Sequence, residues 1–255
     1  MAIKDFFGCI LDTETTGNDP ETCKVIETAR LAITGSPLEF MKIPVEDSIM
    51  DGQLYSPGDA PFAFGAMAAN RITPSMLEGK PKFEGFSYYG KLVVGHNIDF
   101  DQRVTAYNVQ HQICTLALSR YLWPELDSHS QSAVLLYIGS ITRKGIDWAM
   151  DLLKNAHRAQ DDVQNCARVL KFIIFTLSRS PEHKHHVESW EALAALSLDC
   201  KVPRHMPFGK HKGLPIEQGG ALDQGYVDYL VNNGNTDRYL MSAFRRAGFN
   251  VPENL

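Results

Sequence analysis

From Val163 onward, apolar residues recur at Val163, Cys166, Ala167, Leu170, Ile173, Ile174 and Leu177, the three- and four-residue spacing of one helix face. A helix this long with a single apolar stripe needs a broad apolar partner to cover it. The first half of the chain offers one. Residues 6–11, 24–34 and 38–45 read as strands, apolar and partly β-branched, separated by the turn chemistry of TTGNDPET and GSP. They predict an antiparallel meander at one edge of a sheet. KLVVGHN (Lys91 to Asn97) predicts a fourth, buried strand leading into a helix over DFDQRVTAYNVQH, with further helices at 115–122 and 130–138. Strands followed by alternating strands and helices give an α/β fold, a mixed sheet flanked by helices.

At 255 residues and 44% hydrophobic content the chain is long enough for one ordinary domain plus a smaller unit. The stretch SRSPEHKHHVES (Ser178 to Ser189) is polar and contains proline, which predicts a linker. The expected organisation is a main domain over 1–178, a linker and helix over 179–200, and a small α+β unit over 201–255 with short helices near 226–231 and 238–247. The three linker histidines, His183, His185 and His186, lack the acid or cysteine set that would complete a metal site.

No apolar run approaches the roughly 20 residues of a membrane helix, and Met1 to Leu11 does not follow a signal-peptide pattern, so a cytoplasmic protein with no membrane partner is expected. Five cysteines without a C-x-x-C pair argue against a disulfide framework and a zinc knuckle. The net charge of −5 speaks against a polyanionic partner, but it is unevenly spread. Residues 1–180 hold 17 basic against 21 acidic side chains, and residues 200–255 hold seven against five. Acids that chelate divalent cations would carry less negative charge in use.

The acids have a pattern. Asp12 and Glu14 sit two apart at the end of the first strand, so they project from one face. Two carboxylates on one face repel, and a hard cation such as Mg²⁺ or Mn²⁺ relieves the repulsion. Asp99 and Asp101 follow the fourth strand, and Asp161 and Asp162 precede the long stripe. Asp162 lies four residues before Cys166 and borders the buried face, whereas Asp161 points about 100° away.

DTETTG at 12–17, GHNIDFD at 95–101 and HRAQDD at 157–162 resemble the three motifs of the DEDDh branch of the DnaQ-like 3'-to-5' exonucleases, in order and at fitting spacing. NRITPSMLEGKP (70–81), ICTLALSRYLWP (113–124) and FGKHKG (208–213) extend the likeness, which is greatest to the exodeoxyribonuclease X group. The resemblance implies an RNase H-like fold. It implies two divalent ions, Mg²⁺ or Mn²⁺, held by Asp12, Glu14, Asp101 and Asp162, with Asp12 bridging, in a two-metal displacement at phosphorus. It makes His157 the base that deprotonates the attacking water, leaves Asp99 and Asp161 as bystanders, and gives His96 a structural role. Thr15, Thr16, Gly17, Asn97 and Phe100 would contact the terminal nucleotide, the first three through hydroxyl and N–H groups free at the turn.

Asn18 stands where many relatives carry an apolar wedge, which favours single-stranded ends. The implied partner is DNA with a 3' end, with RNA as the alternative in the manner of RNase T or oligoribonuclease. A polymerase proofreading subunit and a non-catalytic nucleic-acid-binding module are the other readings. Phe62 and Phe64 read as core residues, with base stacking as the alternative. The tail, with Lys201, Arg204, Lys210, Lys212, Arg245, Arg246, Phe208, Tyr226 and Tyr229, is either a phosphate-contacting module or a packed unit with a solvated surface. The sequence carries no signal for an oligomeric state.

Overall fold

A computed structural model describes residues 6–87 and 90–252; residues 1–5, 88–89 and 253–255 lie outside the described residues. The chain divides into two compact units, Met1–Ser197 and Leu198–Leu255. The first is built on a five-stranded sheet: β1 (Gly8–Thr15), β2 (Val25–Ile33), β3 (Met50–Leu54), β4 (Leu92–Gly95) and β5 (His111–Cys114), in the order β3-β2-β1-β4-β5. β1 pairs antiparallel with β2, and β2 with β3, while β4 and β5 run parallel to β1. The helices are α1 (Pro37–Lys42), α2 (Phe64–Asn70), α3 (Ile98–Thr105), α4 (Thr115–Leu122), α5 (Gln131–Ile141), α6 (Ile146–Leu152), α7 (Ala159–Arg179) and α8 (Trp190–Cys200). The unit boundary falls within α8.

The apolar stripe from Val163 to Leu177 is the buried face of α7. All seven of its residues are at most 2% exposed, and α7 packs against β1, β2 and β3. Each large aliphatic side chain so buried contributes about 1.5–3 kcal/mol relative to exposure. α3 packs against β1, β4 and β5. Mixed strand direction has a plain origin: β1 and β2 are joined by a short turn, whereas β4 and β5 are reached by crossovers that contain helices.

Three expectations are corrected. Residues 38–45 form no strand. Ser36 and Glu39 make a capping box with Pro37 in the first turn, and this start signal makes 37–42 helical, so the third strand of the meander is Met50–Leu54 instead. The helix after β4 stops at Thr105, where Ala106 turns left-handed at φ 51°, and His111–Cys114 becomes β5. In the C-terminal unit, among the described residues, the β structure amounts to two isolated bridges, His205 with Pro215 and Gln218 with Leu222. Its glycine-rich first half runs as turns, and the unit is held by α9 (Gln224–Asn232) and α10 (Arg238–Arg246) around Met206, Leu222, Val227, Leu230, Leu240, Phe244 and Phe249, not by an α+β sheet.

The polar stretch before α8 folds into a one-turn 3-10 helix over Lys184–Val187, with Val187 1% exposed. All five cysteines are free thiols. Among the described residues no helix is long and apolar enough to cross a membrane.

Candidate active site

β1 is longer than its parallel neighbour. β4 pairs with Gly8 to Ile10, so the chain from Asp12 onward runs past the carboxyl end of the parallel strands, where open α/β sheets form crevices. Strict alternation then decides the chemistry: Thr13 and Thr15 are buried at 8% and 7%, while Asp12 and Glu14 share the other face and are half-buried. On that same face Glu14 lies directly across from Glu27 of β2.

Two further elements deliver acids to this end. After β4, Asn97 turns the chain left-handed at φ 66° and starts α3, which carries Asp101 in its first turn. Gly95 permits the tight approach there, since a Cβ on it would lie 2.5 Å from Ile98 Cδ1 and 3.1 Å from the Leu11 carbonyl oxygen. Asp101 is 4% exposed and accepts a 2.7 Å hydrogen bond from the Thr13 hydroxyl. The start of α7 supplies Asp162. Its Oδ2 accepts from the His157 N–H at 2.9 Å, and its Oδ1 accepts from Gln131 Nε2 at 3.3 Å.

Possible ligand atoms of Glu14, His157 and Asp162 all lie within 4.8 Å of one another. His157 sits in the left-handed region at φ 68°, at the turn entering α7. The next residue, Arg158, is clamped to Glu27 by bonds of 3.1 and 2.7 Å from Nε and the terminal nitrogen, and Glu27 also accepts from the Ala159 N–H at 3.0 Å. The acid opposite Glu14 thereby fixes the turn that bears the imidazole.

Electrostatically the cluster is uncomfortable. Burial, then the charges of Asp162, Asp101, Glu14 and Glu27, hold the Asp12 carboxyl well above the usual carboxylate range. Burial and Asp162 push Glu14 up to about 8. Burial pushes Asp101 to about 7 against the pull of the Thr13 bond, and Asp162 to about 6 against that of the His157 N–H. Four hard-oxygen donors, each penalised for carrying its charge, with an imidazole beside them, are the donor set that a divalent cation satisfies.

The five residues marked as catalytic in the sequence are thus brought to one strand end. The other five are not equally placed. Thr15 donates its hydroxyl to the Gly17 carbonyl at 2.6 Å, and Thr16 gives its N–H to the Lys24 carbonyl and accepts from the Lys24 N–H. The hydroxyls and the Thr16 N–H expected to be free are therefore engaged, because the strand shifts register between Glu14 and Thr15 and these groups close the turn. Gly17 stays half-buried and Asn97 is exposed, while Phe100 is half-buried in the first turn of α3. Phe64 is 86% exposed and Phe62 packs on the Ile26, Ile72 and Leu77 cluster. His96 is structural: burial pushes its imidazole down to about 4, so Nε2–H donates to the His129 carbonyl at 2.8 Å while Nδ1 faces the Thr115 hydroxyl at 3.0 Å.

Sequence reading missed Glu27, Asn70, Gln131 and Arg158. Glu27 had a signal, a lone acid inside the apolar strand VIETARLAI. Asn70, 1% exposed, bonds the Thr15 carbonyl at 3.3 Å and lowers the Glu14 carboxyl; its signal was its place at the head of the NRITPSMLEGKP stretch.

The exonuclease family model matches residues 9–170, most of the first unit and more than half of the chain. The chain belongs to the DnaQ-like 3'-to-5' exonucleases. This exonuclease is 30% identical to exodeoxyribonuclease 10 of Escherichia coli K12 over 220 residues, covering 82% of this chain and 90% of that one. A solved structure of exonuclease X in complex with 5' overhanging duplex DNA superposes with a TM-score of 0.51 at 28% identity, over 71% of this chain and 99% of that chain. The PolC-type DNA polymerase III of Clostridium perfringens is 22% identical over 92% of this chain but 16% of its own length. An E. coli ExoI–ssDNA complex in its zinc-bound form shares the fold, at 20% identity and a TM-score of 0.51, over 67% of this chain and 41% of that chain.

Proposed function

We propose that this exonuclease is a metal-dependent 3'-to-5' exodeoxyribonuclease that acts in end processing or repair. The observation that supports this best is the convergence of Asp12, Glu14, Asp101 and Asp162, with His157 beside them, at the carboxyl end of β1. Asp12, Glu14 and Asp162 would hold one Mg²⁺ or Mn²⁺ ion, and Asp12 with Asp101 a second. When bound, such ions stabilise charge on the attacking and leaving oxygens.

The chain's own groups do the rest. Glu27 and the Asp162 carboxylate hold the turn on which His157 stands, so the imidazole is positioned over the acids before substrate arrives. His157 takes the proton of the attacking water as its oxygen bonds to the terminal phosphorus. The bond from phosphorus to the 3'-oxygen of the penultimate nucleotide breaks, that oxygen is protonated, and a nucleoside 5'-monophosphate leaves. Gly17 and the exposed Asn97 flank the place of the terminal nucleotide.

Asn18 is exposed and polar where an apolar wedge would part a duplex, which favours a single-stranded 3' end. The duplex bound by the exonuclease X relative makes paired DNA the competing substrate. Free thiols throughout support a reducing, cytoplasmic setting.

The test is 5'-labelled single-stranded DNA, blunt duplex and matching RNA, each with Mg²⁺, beside Asp12→Asn. A ladder shrinking from the 3' end, fastest on single-stranded DNA and absent with the variant, is expected. Substrates that are bound but left intact with Mg²⁺ or Mn²⁺ would overturn the reading in favour of a binding module, and faster loss of RNA would make it an exoribonuclease.

A further inference from the structure

The C-terminal unit has a groove of about 720 Å³ whose lining includes Phe208, Lys210, Tyr226, Tyr229 and Asn235. One wall is the FGKHKG turn, and the other is α9. Gly209 has φ +75°, and a Cβ on it would lie 2.5 Å from the Tyr226 hydroxyl, so only glycine lets the turn close this tightly on the ring. Around Tyr226 stand the Lys210 ammonium, 4.9 Å from the ring centre, the His211 ring edge-on at 4.6 Å, and the Tyr229 ring at 6.3 Å and 21°.

Tyr229 and Phe208 are 58% and 39% exposed, which is unusual for large rings that line a concavity. Other cations of this unit lie elsewhere. Arg204 and Arg246 pair with Asp199, and Arg238 and Lys201 lie over the Tyr239 ring. Among the described residues neither Lys210 nor Lys212 has a carboxylate partner. Asp223, an acid on the groove, turns its Oδ1 to the Tyr226 N–H at 2.7 Å as the cap of α9.

Exposed aromatic faces interleaved with lysines that no carboxylate neutralises are the surface on which single strands lie, the rings stacking bases and the ammonium groups neutralising phosphates. We propose that this groove binds a single-stranded segment of nucleic acid, with one base stacked on Tyr229 and neighbouring phosphates held by Lys210 and Lys212. The nuclease reading enters only in naming the strand being degraded as the occupant. The +2 balance of residues 200–255 in a chain of −5 is consistent with that occupant.

The experiment uses the full chain in EDTA, which blocks cleavage, and the fluorescence anisotropy of a labelled dT20 titrated in salt. Tyr229→Leu is expected to weaken binding about 10-fold, within the range one base stack carries, while Tyr229→Phe retains it. Lys210→Ala with Lys212→Ala is expected to reduce the slope of log K against log salt by about 1.4, the value for two phosphates on a single strand. In parallel, with Mg²⁺, each variant cleaves the p-nitrophenyl ester of thymidine 5'-monophosphate, which has no upstream strand, at the wild-type rate. Unchanged affinity with Tyr229→Leu, or an unchanged salt slope with the double lysine variant, overturns the groove assignment. If the wild type fails on the monomeric ester yet the variants lose dT20 affinity, the groove stands and the nuclease reading falls.

Discussion

Asp101→Asn is expected to make the metal-free protein more stable, although it removes one of the four clustered acids. The replacement keeps the shape, and its amide oxygen can still accept from the Thr13 hydroxyl. What disappears is a carboxylate whose pKa rises from 3.8 to about 7, chiefly through burial. An acid raised in the folded state costs nothing while both states are protonated. The cost grows as pH climbs from 3.8, where the unfolded chain ionises, to about 7, where the folded one follows, and is constant above. At about 1.4 kcal/mol per pH unit the full cost at pH 8 is about 4 kcal/mol. The buried amide NH2 that replaces the carboxyl carries its own desolvation cost of about 1–3 kcal/mol, which brings the expected gain to about 2 kcal/mol. For a unit of this size that is about 4–8 °C in Tm.

The assay is thermal unfolding in EDTA at pH 8 and pH 4. A gain of this order at pH 8 that shrinks below about 1 kcal/mol at pH 4 is expected. Magnesium added at pH 8 should raise the Tm of the wild type more than that of the variant. A variant no more stable than the wild type at pH 8, or a gain equal at both pH values, would refute the electrostatic account of the cluster.

Glu27→Gln retains an acceptor for the Ala159 N–H but loses the ionic clamp on Arg158, so kcat should fall about 10- to 100-fold with KM little changed, and Arg158→Met should match it. Steady-state kinetics on a short single strand would show this, and equal losses in kcat and affinity would count against a positioning role. Ser197→Ala leaves the buried Cys114 N–H without the 2.7 Å acceptor it has in the wild type, and urea unfolding should show a loss of about 1–3 kcal/mol at an unchanged m value.

What could be read in the sequence and what could not divide along a physical line. The acids of the site are set by local periodicity, two residues apart on a strand and four residues from a buried cysteine on a helix, and periodicity is written in the chain. Asp99 and Asp101 needed the motif to separate them, and the structure shows Asp101 buried under Thr13. Glu27, Arg158 and Gln131 act across gaps of 131, 131 and 31 residues, which no local pattern encodes. In the fold, the apolar run over 38–45 suggests a strand, but the Ser36–Glu39 box and Pro37 make 37–42 a helix. β3 is hard to read because MDGQL is a short edge strand whose half-buried face carries only Met50 and Leu54, with Gly52 between them.

The alternation along β1 also sets what kinds of sequence change the exonuclease tolerates. A substitution at Thr13 or Thr15 perturbs one contact, whereas deleting or inserting a single residue between Gly8 and Asp12 would turn Asp12 and Glu14 to the threonine side and threonines to the acid side. The stretch from Ser56 to Ala63, without regular structure, has no such parity to keep. Length variation in relatives should therefore gather in such loops, and a one-residue frame change in this strand should silence the site even where every motif letter survives.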